Sequence, residues 1–236
     1  MNSLLWPVRS TLASKYVMAV TGAGLMGFVI VHMLGNLQIF LGRQALNDYA
    51  HHLEEVPTLL WIARAGLLTI FIVHIVFGLR LWTLSRRARP VRYVYEDTVQ
   101  ASWASRHMLL TGLVILAFVI YHLLHFTFGL TDPKDYKYAL DRYAVPMDPA
   151  LHPELDVAEM VVRGFEKPLV SIAYVVAMIV LGLHLWHGAG SWLQSLGLKN
   201  KRTMLLIDGL GAAVAVLIVI GNCAIPLAIL AGWRPS

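Results

Sequence analysis

Four histidines lie deep inside long apolar stretches of the sequence, one in each of the first four stretches: His32, His74, His122 and His184. An ionisable side chain inside a membrane span is costly, so it indicates a functional site with a partner. Four imidazoles on four spans predict two metal centres, each held by two imidazoles. A porphyrin iron with both axial positions filled fits this pattern, since it binds no oxygen and passes single electrons.

The composition of the chain predicts that transmembrane helices carry these histidines. The 236-residue chain is 58% hydrophobic and 14% charged, with a mean hydropathy of +0.64, which excludes a soluble domain. Five apolar stretches are long enough to cross a bilayer as helices, at about 16–41, 58–84, 104–130, 168–195 and 203–232. We predict an all-α integral membrane bundle of five transmembrane helices forming a single domain over 1–236. Pro226 predicts a bend or interruption in the fifth helix.

Cysteine usage and the N-terminal stretch set further limits. The single cysteine, Cys223, excludes an intrachain disulfide and a haem attached through a cysteine pair. No cleavable signal peptide is expected, because the first apolar stretch carries His32 and is too long for a signal core.

The loops divide into a basic set and an acidic set. The basic residues at one end of the spans are Arg9, Lys15, Arg86, Arg87, Arg89, Arg92, Arg106, Lys199, Lys201 and Arg202. The other end has Arg43 and a long loop over about 131–167, whose acids are Asp132, Asp135, Asp141, Asp148, Glu154, Asp156, Glu159 and Glu166. Short basic loops stay in the cytoplasm, so the N-terminus is predicted inside and the C-terminus outside. The net charge of +5 is then a membrane-topology signal and not a nucleic-acid signal.

This orientation sorts the histidines into two layers. His32 and His122 fall in the outer half of the membrane, and His74 and His184 in the inner half, with the layers roughly 10 Å apart by helical rise. Small residues on the same spans would let a flat macrocycle approach: Gly22, Gly24, Gly27, Gly35, Gly66, Gly78, Gly112, Gly182 and Gly188.

Other roles for the histidines remain open. An intramembrane histidine can also hydrogen-bond across helices or line a proton path. His125 and His187 each lie three residues after a favoured ligand on nearly the same helical face, so they are rival ligands or neighbours of the ligands. Both sit nearer the end of their helix, which favours His122 and His184. The remaining histidines are assigned to loops or interfaces: His51, His52, His107 and His152.

The ordered set of histidine-bearing spans resembles the cytochrome b subunit of succinate:quinone oxidoreductases, in its single-subunit, five-helix, two-haem form. The residues that carry the resemblance are VHML at 31–34, ALNDYAHHLEEVP at 45–57, VHIVFG at 73–78, VIYH at 119–122, HLWHG at 184–188 and SWL at 191–193. The resemblance covers nearly the whole chain except the loop at about 131–167.

The resemblance implies a role for each pair. His74 and His184 would hold the proximal haem b, and His32 and His122 the distal haem b. The chain would anchor a flavoprotein subunit, which oxidises succinate, and an iron-sulfur subunit, and would carry no succinate site itself. Electrons of this tricarboxylic acid cycle step would pass through the haems to a quinone, menaquinone in the two-haem form. The location implied is the bacterial cytoplasmic membrane, and the oligomeric state of the complex is left open.

Two sets of polar residues are candidates for contacts with these groups. Donors to the haem propionates near the inner layer are Lys15, Arg80, Trp103, Arg106 and Ser191. Candidates for the quinone site near the outer ends of the first two spans are Gln38, His51 and Glu54. Related proteins carry an acid in the connection between these spans, and Glu54 or Glu55 matches its place.

One departure and two rival functions limit what the resemblance implies. A fumarate-reducing branch carries a glutamate two residues before its fourth-span ligand, associated with proton movement, and Gly182 stands there in this chain. That function is therefore not carried over, and the direction of turnover stays open.

The first rival is a two-haem cytochrome b of another system, such as a hydrogenase, a formate dehydrogenase or a b561-like reductase. The second is a haem-free anchor or proton-conducting bundle.

Overall fold

The computed structural model describes residues 10–88, 91, 103–136 and 156–236. Within this part of the chain the regular elements are all helical. The α-helices are α1 (Thr11–Asn36), α2 (Arg43–Glu54), α3 (Pro57–Arg87), α4 (Trp103–Arg106), α5 (Met108–His122), α6 (Val157–Phe165), α7 (Pro168–Ser195) and α8 (Met204–Leu230). A 3₁₀ segment, Leu37–Leu41, extends α1, and a π-helical segment, Leu123–Thr127, extends α5.

Five of these helices are long and apolar enough to cross a membrane: Thr11–Leu41, Pro57–Arg87, Met108–Thr127, Pro168–Ser195 and Met204–Leu230. The predicted all-α fold with five membrane-spanning helices is confirmed. The first span begins earlier than the hydropathy pattern predicted, because Ser10 caps it by accepting a hydrogen bond from the Ala13 amide at 3.3 Å. The interruption considered at Pro226 does not occur, since α8 continues through this buried residue.

The chain divides into two compact units. The first unit comprises Met1–Val29, Ala63–Leu113 and Val180–Leu217, and the second comprises Ile30–Ile62, Val114–Ile179 and Ile218–Ser236. Every boundary falls inside one of the five long helices. The single domain predicted from the sequence stays a prediction.

The hydrophobic core of the second unit is built largely on two short helices. Both helices lie in segments that the sequence analysis treated as loops. Leu46 of α2 and four residues of α6 pack with Ile39, Tyr174, Ile225 and Ile229. The residues from α6 are Ala158, Val161, Val162 and Phe165. Their spacing of three and four residues places them on one face of a helix, which explains why this acidic segment folds against the core.

Ionic and hydrogen bonds hold α6 at its N-terminus. Asp156 caps α6 by accepting from the Glu159 amide at 3.0 Å, and it forms an ion pair with Arg43 at the start of α2. Asn47 donates to Asp156 at 3.2 Å and accepts from the Ala158 amide at 2.9 Å. Burial by itself would raise the pKa of Asp156, but the hydrogen bonds from Arg43, Glu159 and Asn47 outweigh it and lower that pKa. Asp156 is therefore ionised at neutral pH and links α6 to α2.

Further ion pairs hold the rest of α6 and its C-terminal end. Arg163 bonds Glu159 at 2.8 Å, Arg234 pairs with Glu166, and Lys167 pairs with Asp132 and, at 2.7 Å, with Asp135. The hydrogen bond from Lys167 lowers the pKa of Asp135.

Several residues used in the topology prediction lie outside the described part of the chain. They are Arg9, Arg89, Arg92, Asp141, Asp148, His152 and Glu154.

Candidate functional site

The first unit brings His74 of α3 and His184 of α7 together, and these two residues are called the 74/184 pair. Their ring centroids lie 6.5 Å apart with an interplanar angle of 64°. An imidazole nitrogen binds a metal at about 2 Å, and the ring centroid lies roughly 1 Å behind it, so two imidazoles on opposite sides of one iron have centroids about 6 Å apart. The observed spacing matches that distance.

Each ring of the 74/184 pair is held by a threonine hydroxyl from a neighbouring helix. Thr21 Oγ1 of α1 lies 3.1 Å from His74 Nδ1, and Thr111 Oγ1 of α5 lies 3.1 Å from His184 Nδ1. Both hydroxyls donate to carbonyl oxygens of their own helix, Thr21 to Val17 at 2.8 Å and Thr111 to Met108 at 3.1 Å. A hydroxyl has one proton, so its oxygen accepts from the imidazole Nδ1–H. This fixes the tautomer whose Nε2 lone pair is available to a metal.

A glycine follows each of these threonines, and at Gly22 it leaves the imidazole room that a side chain would reduce. A Cβ on Gly22 would lie 3.2 Å from His74 Cε1, and one on Gly112 would lie 3.6 Å from His184 Cε1. The two helices therefore present the same local surface, a hydroxyl beside a missing side chain, to the two rings.

The second unit brings His32 of α1 and His122 of α5 together, and these residues are called the 32/122 pair. Their ring centroids lie 5.8 Å apart and the rings are nearly perpendicular, at 86°. His122 Nδ1 lies 3.3 Å from the Tyr174 hydroxyl of α7. The spacing again matches two imidazoles on one iron at about 6 Å.

The rival histidines occupy different positions. His125 lies in the π-helical segment, is 4% exposed and has its Nδ1 3.0 Å from the Tyr174 hydroxyl. Its ring stacks on Phe126 with centroids 4.0 Å apart. His187 is half-buried, three residues after His184 on α7. The structure therefore brings together the two pairs predicted from depth, and His125 becomes a neighbour of one of them.

The donor set and its surroundings fit a haem at each pair. A metal site of three or more His, Cys, Asp or Glu side chains is absent from the described residues, and a bis-imidazole haem needs only two. His74, His122 and His184 are half-buried and His32 is exposed, so the rings face open space as well as protein. In a membrane span a polar ring edge facing hydrocarbon is unfavourable, which a bound group would relieve. Binding of haem at these pairs stays a prediction.

The five candidate propionate donors all belong to the first unit, as does the 74/184 pair. Lys15, Trp103 and Arg106 are exposed, and Arg80 and Ser191 are half-buried. Trp103 stacks on His107 with centroids 4.1 Å apart. Their role toward a propionate stays a prediction.

The candidates for a quinone site are only partly brought together. An open cleft of about 430 Å³ lies where α2 meets α3, and its lining residues are Glu55, Val56, Pro57, Thr58, Leu59 and Ile62. His51 Nε2 lies 3.5 Å and His52 Nδ1 3.0 Å from the Glu55 carboxylate. None of the three candidates, Gln38, His51 and Glu54, lines this cleft, and only His51 contacts a lining residue, Glu55. The carboxylate at the cleft is thus Glu55, whose pKa is lowered by the hydrogen bond to His52.

The two threonines were not among the residues predicted from the sequence, although a signal for them exists. Thr21-Gly22 precedes His32 and Thr111-Gly112 precedes His122 by the same eleven positions. The same dipeptide at the same distance before a histidine inside an apolar stretch, on two spans, is a repeated feature of the sequence. Tyr174 carried no comparable pattern.

Comparisons of the chain with protein-family models, with curated proteins and with solved structures found no match.

Proposed function

We propose that the chain is a cytochrome b with two b haems, the membrane anchor and electron-transfer subunit of a succinate:quinone oxidoreductase. The observation that carries the proposal is a pair of neighbouring imidazoles in each of the two units, at 6.5 Å and 5.8 Å between centroids. The hydroxyl partners at His74, His184 and His122 support it, because metal-binding histidines in proteins commonly have the other ring nitrogen engaged. The family resemblance supplies the choice among two-haem cytochromes.

The residues of the chain would hold and insulate the redox groups. A bis-imidazole haem supplies reversible one-electron transfer between ferric and ferrous iron. The threonine hydroxyls orient the rings of the 74/184 pair, and Tyr174 contacts the ligand His122 of the 32/122 pair. The five long helices are apolar, so in a bilayer they would keep water away from both pairs.

The basic end of the spans is the proposed contact surface for the flavoprotein and iron-sulfur subunits. Its described residues Arg86, Arg87, Arg106, Lys201 and Arg202 are exposed. A positive-inside topology places this end in the cytoplasm, with the complex in the bacterial cytoplasmic membrane. The 74/184 pair would then receive electrons first.

The proposal is tested on the native complex isolated from its membrane. Anaerobic addition of succinate is expected to reduce b haem, seen as the α-band of the reduced-minus-oxidised spectrum, and a menaquinone analogue is expected to reoxidise it. A covalently bound flavin should be present in a co-purifying subunit. Haem that is reduced by hydrogen, formate or ascorbate but not by succinate would instead assign the chain to another two-haem system. A complex without b haem would leave only an anchor role.

The cleft between α2 and α3 is the proposed quinone site. Reduction of a quinone to a quinol consumes two electrons and two protons, so the site needs a proton donor. The pKa of Glu55 is lowered by its hydrogen bond to His52, so its carboxylate is ionised at neutral pH and accepts a hydrogen bond from that imidazole. A carboxylate and an imidazole that share a hydrogen bond at an apolar cleft can relay a proton to the quinone oxygen.

Substitution of Glu55 tests this assignment. Glu55→Gln removes the carboxylate of this hydrogen-bonded pair, and quinone reduction is expected to fall by roughly 100-fold, the usual scale of a lost proton-transfer group. Haem content and reduction of haem by succinate should not change. Glu54→Gln is the matched control, because Glu54 is the adjacent exposed carboxylate and does not line the cleft. Equal quinone turnover in both variants would contradict the assignment.

A further inference from the structure

The Tyr174 hydroxyl is shared by two histidines. It lies 3.3 Å from His122 Nδ1 and 3.0 Å from His125 Nδ1. The tyrosine is 6% exposed, and its ring contacts Phe118 and Phe165 edge to face, with centroids 5.0 Å and 4.9 Å away. The aromatic packing fixes where this hydroxyl lies, so both short distances belong to one defined arrangement.

The number of protons on His122, Tyr174 and His125 determines which of them donates in each hydrogen bond. If His122 binds iron through Nε2, its Nδ1 carries a proton and donates to the Tyr174 oxygen. The single hydroxyl proton of Tyr174 is then available to His125, whose Nδ1 must accept it. His125 therefore carries its own proton on Nε2. The result is a chain of hydrogen bonds that runs from His122 through Tyr174 to His125.

His125 is fixed at the far end of this chain by α6. A Cβ on Gly164 would lie 3.1 Å from His125 Cε1, so a side chain at this position would require the ring or α6 to shift slightly. The ring also borders a narrow crevice lined by Asp132 and Asp135, the two carboxylates that pair with Lys167. The ion pairs that hold α6 and its C-terminal end thus surround the last member of the chain.

The 74/184 pair has no equivalent extension through its two threonines. The hydroxyls of Thr21 and Thr111 donate hydrogen bonds to backbone carbonyl oxygens of their own helices, at 2.8 Å and 3.1 Å. A backbone carbonyl accepts without donating onward. The hydrogen bonds from Nδ1 in the 74/184 pair therefore end at the helix backbone, whereas the one from His122 Nδ1 continues through Tyr174 to His125.

We propose that Tyr174 is a positioning residue for the distal ligand His122, and that His125 is the last member of a hydrogen-bond chain that lowers the reduction potential of the 32/122 centre. This inference rests on the proposed binding of haem. Donation from Nδ1–H to an oxygen raises the basicity of the ligand imidazole, which favours ferric iron. The onward bond to His125 orients the Tyr174 lone pairs toward His122 and keeps them there.

The test is a potentiometric titration of both haems in wild type and in Tyr174→Phe. The variant is expected to keep two haems, to shift one haem to a more positive potential and to leave the other unchanged. The shifted haem is assigned to the 32/122 pair by comparison with His32→Ala and His74→Ala, each expected to retain a single haem. The low-spin electron paramagnetic resonance signal of the same haem should also change, because the ring of His122 loses its orienting partner.

Two further variants complete the design. Tyr121→Phe is the matched control, since it removes a hydroxyl from a tyrosine whose ring lies 6.0 Å from that of Tyr174 in the same cluster. It is expected to leave both potentials unchanged. His125→Asn is expected to shift the same haem as Tyr174→Phe, in the same direction and by less, and it tests the chain even where Tyr174→Phe does not assemble.

The outcomes separate this inference from the proposed function. Two haems with unchanged potentials and signals in Tyr174→Phe and His125→Asn would overturn the inference and leave the proposed function intact. Loss of one haem in His125→Asn would make His125 a ligand and overturn it as well. Absence of haem from the wild-type chain would overturn the proposed function itself.

Discussion

Replacing His74 or His184 by alanine is expected to remove one b haem completely and leave the other in place. Replacing His32 or His122 is expected to remove the other haem. The reason is that each iron would be held by two imidazoles on different helices, with ring centroids 6.5 Å apart in one pair and 5.8 Å in the other. Haem per chain is measured by pyridine haemochrome, and the identity of the lost haem by the reduced-minus-oxidised spectrum.

Two histidines provide matched controls for this experiment. His187→Ala and His125→Ala remove imidazoles three residues away from His184 and His122 on the same spans. Both variants should retain two haems. Loss of a haem in either control, with retention in the corresponding His184→Ala or His122→Ala variant, would show that the ligand had been assigned to the wrong histidine.

The double substitution Thr21→Val and Thr111→Val is expected to weaken haem binding at the 74/184 pair and to spare the 32/122 pair. Valine keeps the shape of threonine but removes the oxygen that accepts from each Nδ1, at 3.1 Å in both cases. Loss of a hydrogen-bond partner of a metal-binding histidine typically costs 10–100-fold in affinity, so the two together should cost roughly 100–10,000-fold. Transfer of haem to an excess of an apo-globin measures this loss.

Thr69→Val serves as the control for the threonine experiment. Thr69 is an exposed threonine of α3 whose hydroxyl donates to the Ala65 carbonyl at 2.8 Å. Its substitution makes the same chemical change away from either pair and should leave haem transfer at the wild-type rate. Equal transfer rates in the double variant and in wild type would mean that the hydroxyls do not hold the ligands.

The five long helices could be predicted because hydropathy is a property of the chain itself. A stretch such as 58–84 has to satisfy its backbone groups internally in lipid, and only a helix does this. The short helices α2 and α6 could not be recognised in the same way. Acidic residues and prolines are spread along 131–167, and the apolar face formed by Ala158, Val161, Val162 and Phe165 becomes evident only when helical spacing is considered.

The pairing of the histidines was predictable from depth, because charge bias fixes direction and helical rise fixes position along each span. The structure brings His32 to His122 and His74 to His184, as that reasoning requires. The partners of the rings were not predictable from depth alone. Thr21 and His74 are 53 residues apart, so their contact depends on how α1 packs against α3.

At the candidate quinone site, the sequence could not predict which of two adjacent carboxylates reaches the cleft. Adjacent carboxylates such as Glu54 and Glu55 have nearly the same sequence context, but they point in different directions on a helix. Only the fold decides that Glu55 meets His51, His52 and the cleft. Residue type and spacing suggested the region, and side-chain direction made Glu55 the candidate.

The two histidine pairs are completed at different times during translation, because their helices come at different places in the chain. Both histidines of the 32/122 pair have been synthesised once α5 has left the ribosome, whereas the 74/184 pair is complete only after α7. Tyr174 and His184 both lie on α7, so the hydroxyl partner of one pair and the last imidazole of the other enter the membrane in a single step. A nascent chain that stops before α7 therefore has both histidines of the 32/122 pair and only His74 of the other, and α7 then supplies both His184 and Tyr174.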